Sequence, residues 1–140
     1  MTSVYDQDNV FAKILRDELP SIKIYEDEHS LAFMDVMPQR DGHVLVIPKE
    51  PAMTIYDLSE QAALACMKTV QKVGTAVQKA MAVNGSSVFQ FNGKEGGQTV
   101  PHFHFHILPG SLSGLRQHAA EFADQQHLAE IAEKIISCLD

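Results

Sequence analysis

Apolar and polar residues follow two rhythms along this chain, one of period two and one near 3.6, and the changes between them outline its elements. Val10, Phe11, Ile14 and Leu15 recur at helical spacing, which predicts a short amphipathic helix over Val10 to Leu19, ended by Pro20. Two strands are predicted next, Ile22 to Tyr25 and Leu31 to Val36, around a turn at Glu26, Asp27 and Glu28. Met37 and Pro38 break the pattern, Arg40-Asp41-Gly42 reads as a turn, and His43 to Ile47 is a third strand stopped by Pro48. Asp57 and Glu60 have the spacing of a capping box, with Asp57 as the cap. Beyond them Leu64, Met67, Val70, Val73, Val77 and Met81 predict a long helix to about Val83, ended by Asn84-Gly85.

Val88 to Phe91 is the fourth predicted strand, Asn92 to Thr99 a polar loop, and His102 to Leu108 the fifth strand. A last helix spans roughly Gln117 to Cys138, with Leu128, Ile131, Ile135 and Leu139 on one stripe. Strands joined by short turns imply an antiparallel sheet with helices packed on it, an α+β domain. No repeat, linker or low-complexity tract interrupts residues 1–140, so one domain is expected.

The fifth strand carries the chemistry. His102, His104 and His106 alternate with Phe103, Phe105 and Ile107. Successive side chains of a strand point to opposite faces, so the three imidazoles should share one face and the apolar partners the other. His29, His118 and His127 sit singly among polar neighbours and read as ordinary solvent-facing residues.

Composition narrows the partners. The 140 residues are 45% apolar and 21% charged, the profile of a globular protein, and no apolar run is long enough to span a membrane. A formal net charge of -7 without a Lys/Arg cluster argues against extended nucleic acid. A small anion remains compatible, because it needs only a few local donors. Cys66 and Cys138 show neither metal spacing nor a disulfide framework, which fits a reducing cytoplasm.

Three histidines on one face suggest either metal binding or catalysis. A strand rises about 3.3 Å per residue, so His102 and His106 start about 13 Å apart. Zn–N bonds are only about 2.0–2.1 Å, so the three rings cannot close on one ion without a sharp bend. The second reading is nucleophilic attack on phosphorus by a neutral imidazole, with its neighbours donating to phosphate oxygens and moving a proton. The preceding loop, Gly93 to Thr99, supports phosphate chemistry, since glycines let backbone N–H groups approach an anion and Thr99 adds a hydroxyl.

The stretch Gly-Gly-Gln-Thr-Val-Pro-His-Phe-His-Phe-His-Ile-Leu, residues 96–108, resembles the signature of the histidine triad (HIT) superfamily. Upstream blocks resemble its nucleotide-binding (Hint) branch: Val10-Phe11-Ala12-Lys13-Ile14, Ile24 to Asp27, Leu31 to Asp35 and Gly42 to Lys49. These matches cover about residues 9–110; residues 115–139 form a helical extension outside them. The resemblance implies a HIT-like fold, with a five-stranded antiparallel sheet, a short N-terminal helix, a long central helix and a C-terminal helix. It also implies a homodimer built through the central helix and neighbouring strand edges.

In function, the resemblance implies a cytoplasmic hydrolase of purine nucleoside 5'-phosphoramidates or related nucleotidyl conjugates, AMP conjugates among them. His104 would be the nucleophile, oriented by the backbone carbonyl of His102. His106 would contact the phosphate, with His43 completing the cluster and Thr99 contributing its hydroxyl. Asp35 would accept the ribose hydroxyls, and Asn92, Gly97 and Val100 would contact the phosphate or leaving group. Val10, Phe11, Ile14, Phe33 and Val36 would wall the base. No cofactor and no metal are expected, because Asn9 and Ala12 stand where some relatives carry a Cys-x-x-Cys zinc pair. The alternatives are a dinucleoside polyphosphate hydrolase of the same superfamily and a non-catalytic, dimeric nucleotide-binding module. The chain has no Trp, so it lacks the tryptophan-bearing tail of some branch members.

Overall fold

A computed structural model describes residues 4–115 and 121–140. Its elements are α1 (Val10–Leu15), β1 (Lys23–Glu26), β2 (Ser30–Met34), β3 (Val44–Pro48), α2 (Glu60–Ala80), β4 (Ser86–Phe89), β5 (Phe105–Pro109) and α3 (Gln125–Ser137), with a single 3-10 turn at Lys94–Gly96. All strand pairs are antiparallel and the sheet order is β1-β2-β3-β5-β4. The expected α+β architecture is therefore present. The α2 crossover carries the chain to the far edge at β4, and β5 returns to lie between β4 and β3.

Strands β2 and β3 are buried at every position. Their near-continuous apolar sequence follows, because both faces of the sheet are covered. On one face Ala32, Met34, Val44, Val46 and Ile107 pack with Val70, Val73 and Val77 of α2 and Leu128, Ile131 and Ile135 of α3. On the other, Leu31, Phe33, Leu45 and Ile47 pack with Phe11 and Ile14 of α1. The register aligns Phe33 with Leu45, and Leu45 with His106. That alignment puts a histidine on the α1 side of the sheet.

Several element limits differ from the sequence expectation. Helix α1 starts where Asn9 Oδ1 accepts the Ala12 N–H at 2.8 Å. It stops at Leu15, well before Pro20, because Asp17 turns left-handed (φ 61°) and the Glu18 N–H closes on the Lys13 carbonyl at 2.9 Å. The cap of α2 is Ser59, whose Oγ accepts the Ala62 N–H at 3.1 Å. Asp57 instead folds back onto the N–H groups of Met53 and Thr54, at 3.0 and 2.7 Å. Glu50 selects this start by accepting from the Ser59 N–H and Oγ–H. At its far end α2 stops at Ala80, and Ala82 (φ 55°) rather than Gly85 takes the left-handed position.

Helix α3 is also shorter than expected. Asp124 caps it through the His127 N–H at 3.0 Å, and the preceding Ala123 N–H donates to the Val36 carbonyl at 2.9 Å. Residues 117–120, with His118, lie outside the described residues. Gly42 (φ +93°) is required by close approach: a Cβ there would lie 2.8 Å from Met81 Cγ. Both cysteines are free, and Cys66 is buried within α2. Among the described residues no helix is long and apolar enough to cross a membrane.

Candidate active site

Strand β5 starts at Phe105, so the first three residues of the histidine run precede the ladder. Pro101 has no N–H to give, and the groups that follow find partners elsewhere. The His102 N–H donates to the Val100 carbonyl at 2.8 Å, and the Phe103 N–H to the Ala52 carbonyl at 2.8 Å. Gln98 anchors the same stretch from inside. It is buried, its Nε2 donates to the Met53 and Val100 carbonyls at 2.7 and 2.9 Å, and its Oε1 accepts the Gly93 N–H at 2.7 Å. The expected alternation survives this departure from strand geometry. Phe105 packs with the helix-side core, and Phe103 meets it edge to face at 5.1 Å. The His104 and His106 rings lie 5.0 Å apart.

Hydrogen bonds assign a proton to each ring. A carbonyl oxygen only accepts, so the 2.6 Å contact of His104 Nδ1 with the His102 carbonyl requires an Nδ1–H. Neutral His104 therefore has a bare Nε2. The contact of His102 Nε2 with the Pro48 carbonyl at 2.9 Å likewise requires an Nε2–H, leaving Nδ1 to accept from the Tyr5 hydroxyl at 2.5 Å. The Gln39 N–H donates to His43 Nδ1 at 3.1 Å, so neutral His43 carries its proton on Nε2. That proton points to His106 Nδ1 at 2.9 Å, which leaves His106 with an outward Nε2–H. One imidazole thus offers a lone pair and its neighbour a donor.

Burial keeps these rings neutral. It is the main cause that lowers each of the four pKa values, because an apolar surrounding disfavours the imidazolium. His102 is pushed to about 4 and His106 to about 3, the latter also by the neighbouring His104 and His43. For His43 and His104 the direction is the same, opposed in part by the Asp35 carboxylate. Asp35 follows β2, with Oδ2 3.5 Å from His43 Nε2 and Oδ1 accepting the Met37 N–H at 2.9 Å.

The remaining sequence candidates are placed unevenly. Phe11 meets His104 edge to face at 4.9 Å and Phe33 at 5.4 Å, and Ile14 and Val100 join the same apolar cluster. Val10 at the start of α1 and Val36 beside Asp35 are exposed. Asn92 pairs its amide with that of Gln90 at 2.8 Å in both directions and accepts the Ile55 N–H at 2.8 Å. Gly97 takes a left-handed turn (φ +99°) against the Phe91 ring, and Thr99 is exposed. His29 and His127 are exposed as expected, and His127 pairs with Asp41 at 2.9 Å.

Sequence reasoning missed four neighbours of the site: Tyr5, Gln39, Phe89 and Phe91. Phe89 stacks on His106 at 4.6 Å and 7°. Its signal was cross-strand register, since it pairs directly with His106 in β4–β5. Among the described residues Asp35, His43 and His106 could offer a cation one ligand atom each, all within 4.8 Å of one another. Here the His43 Nε2–H donates to His106 Nδ1, and Asp35 Oδ2 lies 3.5 Å from the same nitrogen.

The model of the HIT domain matches residues 16–112. The chain is 42% identical to a Hit-like protein of Bartonella henselae involved in cell-cycle regulation, whose crystal structure superposes with a TM-score of 0.89 over 97% of this chain and 100% of that one. It is 40% identical over 100 residues to an adenosine 5'-monophosphoramidase of Schizosaccharomyces pombe, covering 71% of this chain and 72% of that protein. It is 30% identical to an adenylylsulfatase of Arabidopsis thaliana over 99% of this chain and 71% of that one.

Proposed function

The chain belongs to the HIT domain family, and from that premise we propose that it hydrolyses purine nucleoside 5'-phosphoramidates or related nucleotidyl conjugates through a covalent nucleotidyl-histidine. One observation carries the reading. His104 is held by the His102 carbonyl with its Nε2 bare, beside an imidazole whose Nε2–H is free to donate.

In the first step His104 Nε2 bonds to phosphorus as the bond from phosphorus to the leaving nitrogen breaks. The amine departs with a proton taken from solvent, and His106 Nε2–H donates to a phosphoryl oxygen. Water then attacks phosphorus and returns one proton to solvent as the bond to His104 breaks, and the nucleoside monophosphate leaves with neutral His104 restored. Asp35 accepts from the ribose hydroxyls, as an acceptor-only group can. Phe11, Ile14 and Phe33 wall the base, with Val10 and Val36 at its rim. Asn92, Gly97, Thr99 and the Val100 amide serve the phosphate and leaving group.

Whole-chain similarity to an adenylylsulfatase supports some breadth in the leaving group around a shared adenylyl half. The reading includes one domain over residues 1–140 and a homodimer. Exposed Leu64 and Met67 on α2 and Val88 on the edge strand β4 supply an apolar surface for that dimer. Incubation with adenosine 5'-phosphoramidate should release AMP, and acid-sensitive adenylyl-histidine should be trapped by rapid denaturation. Much faster cleavage of diadenosine polyphosphates would move the assignment to that branch. Tight AMP binding with no turnover of any conjugate would make the protein a binding module.

A further inference from the structure

Tyr5 lies outside every motif in the sequence, yet its hydroxyl reaches His102, a residue 97 positions away. We propose that Tyr5 is a positioning residue for the reaction, fixing His102 so that the His102 carbonyl holds His104 with Nε2 toward phosphorus. The inference rests on the reading of His104 as nucleophile.

The His102 side chain is fully buried, and its Nε2–H is committed to the Pro48 carbonyl. The lone pair on Nδ1 would then be an unsatisfied buried acceptor unless a donor came to it. The Tyr5 hydroxyl is that donor, at 2.5 Å, with the two rings edge to face at 5.6 Å. The remaining aromatic neighbour, Phe11 at 6.4 Å, offers no hydrogen. Without the hydroxyl, the buried Nδ1 lone pair is unpaired, and the ring must turn toward another donor or make room for a water. Turning gives up the Pro48 bond, and a water needs space that the buried ring now fills. Either shifts residue 102, and its carbonyl is the acceptor that orients His104 at 2.6 Å.

Tyr5 is itself held in place. Asn9 donates through its backbone N–H and its Nδ2 to the Asp6 carbonyl at 3.3 and 2.8 Å, and Arg16 donates to the Gln7 carbonyl at 2.8 Å. Asn9 also caps α1, the helix whose Phe11 touches His104. The N-terminal turn and the nucleophile therefore share one set of contacts. Burial raises the Tyr5 pKa above its usual value, so the hydroxyl keeps the proton it donates.

The test is Tyr5→Phe in the full-length chain, which keeps the ring contact and removes only the hydroxyl. Imidazole nitrogen NMR at neutral pH should show wild-type His102 as the Nε2–H form, and Tyr5→Phe should displace the His102 resonances. With adenosine 5'-phosphoramidate, kcat should fall about tenfold while KM stays within about twofold, since the lost contact acts on orientation rather than on substrate binding. His102→Gln should lower kcat as well. Adding Tyr5→Phe to His102→Gln should cost nothing more, because the tyrosine acts through that ring.

Unchanged His102 resonances in Tyr5→Phe, losses that add in the double variant, or a loss confined to KM would each overturn the assignment. Absence of turnover in the wild type would instead defeat the hydrolase reading. The nitrogen spectra would still decide whether Tyr5 sets the proton position on His102.

Discussion

The same strands show two different kinds of order on their two faces. Toward α2 and α3 stand Ala32, Met34, Val44, Val46 and Ile107, a contiguous apolar layer. Toward α1 stand Phe33 and Leu45, with His43, His104 and His106 beyond them. On the helix side the contacts are non-directional, so volume and apolarity decide them. On the histidine side the ring nitrogens pair atom to atom, except for the bare Nε2 of His104 and the free Nε2–H of His106, and a change of partner changes which nitrogen carries the proton. The first face should therefore answer to mutation mainly in stability, and the second mainly in chemistry.

The largest effect expected is that of His104→Ala. Turnover of adenosine 5'-phosphoramidate should fall by a factor on the order of 10³ or more, because no other side chain among the described residues supplies the bare nitrogen at that place. AMP affinity should stay within about tenfold, or about 1.4 kcal/mol. Steady-state kinetics and calorimetric titration read the two quantities separately. Loss of both together would mean that this face, too, is chiefly structural.

The opposite face is probed by Ile135→Ala on α3. Ile135 is fully buried in the helix-side core. Removing its methyl and methylene groups should lower the unfolding free energy by about 2–5 kcal/mol, read from denaturant titration. Below the melting temperature kcat should remain within about twofold of wild type, since among the described residues no hydrogen-bond partner of His43, His102, His104 or His106 lies on α3. A tenfold fall in kcat would show the two faces to be coupled through the sheet.

This asymmetry also explains what the sequence made legible. Face assignment by period two depends only on alternation, and it survives even where His102, Phe103 and His104 stand outside the ladder. The five strands and the long helix followed from the same rhythms. The choice of helix cap did not. Asp57 and Ser59 are both good caps, and Glu50, nine residues upstream of Ser59, decides between them. Tyr5 and Phe89 belong with Glu50: each acts on a distant residue through one atom or one ring, and no local period marks them. Gln39 acts on His43, four residues on, but through its backbone N–H, which its side-chain identity does not announce. Motif blocks identified His43 and Asp35, which single-residue reasoning would have left as solvated or core positions.

The smallest effect separates the faces by pH. In the unfolded chain an imidazole titrates near about 6.5, whereas in the fold His102 stays neutral down to about 4 and His106 down to about 3. Between these limits the unfolded chain binds protons that the folded one refuses. Stability is therefore fully present above pH 6.5 and declines as the pH falls toward those folded values. At pH 5.5 each of these two rings should have removed about 1.2 kcal/mol relative to pH 7, and His43 and His104, lowered in the same direction, add to the loss. The carboxylates lowered in the fold, Glu18, Glu26, Asp27 and Asp57, have ordinary values near or below 4.5, so pH 7 to 5.5 isolates the imidazoles. Unfolding titrations across that interval should give Ile135→Ala the wild-type slope at a lower offset, because the helix face holds none of these rings. His106→Asn should flatten the slope by about one ring's share, about 1.2 kcal/mol over the interval. An unchanged slope in His106→Asn would mean that water reaches the ring and that its neutrality does not come from burial.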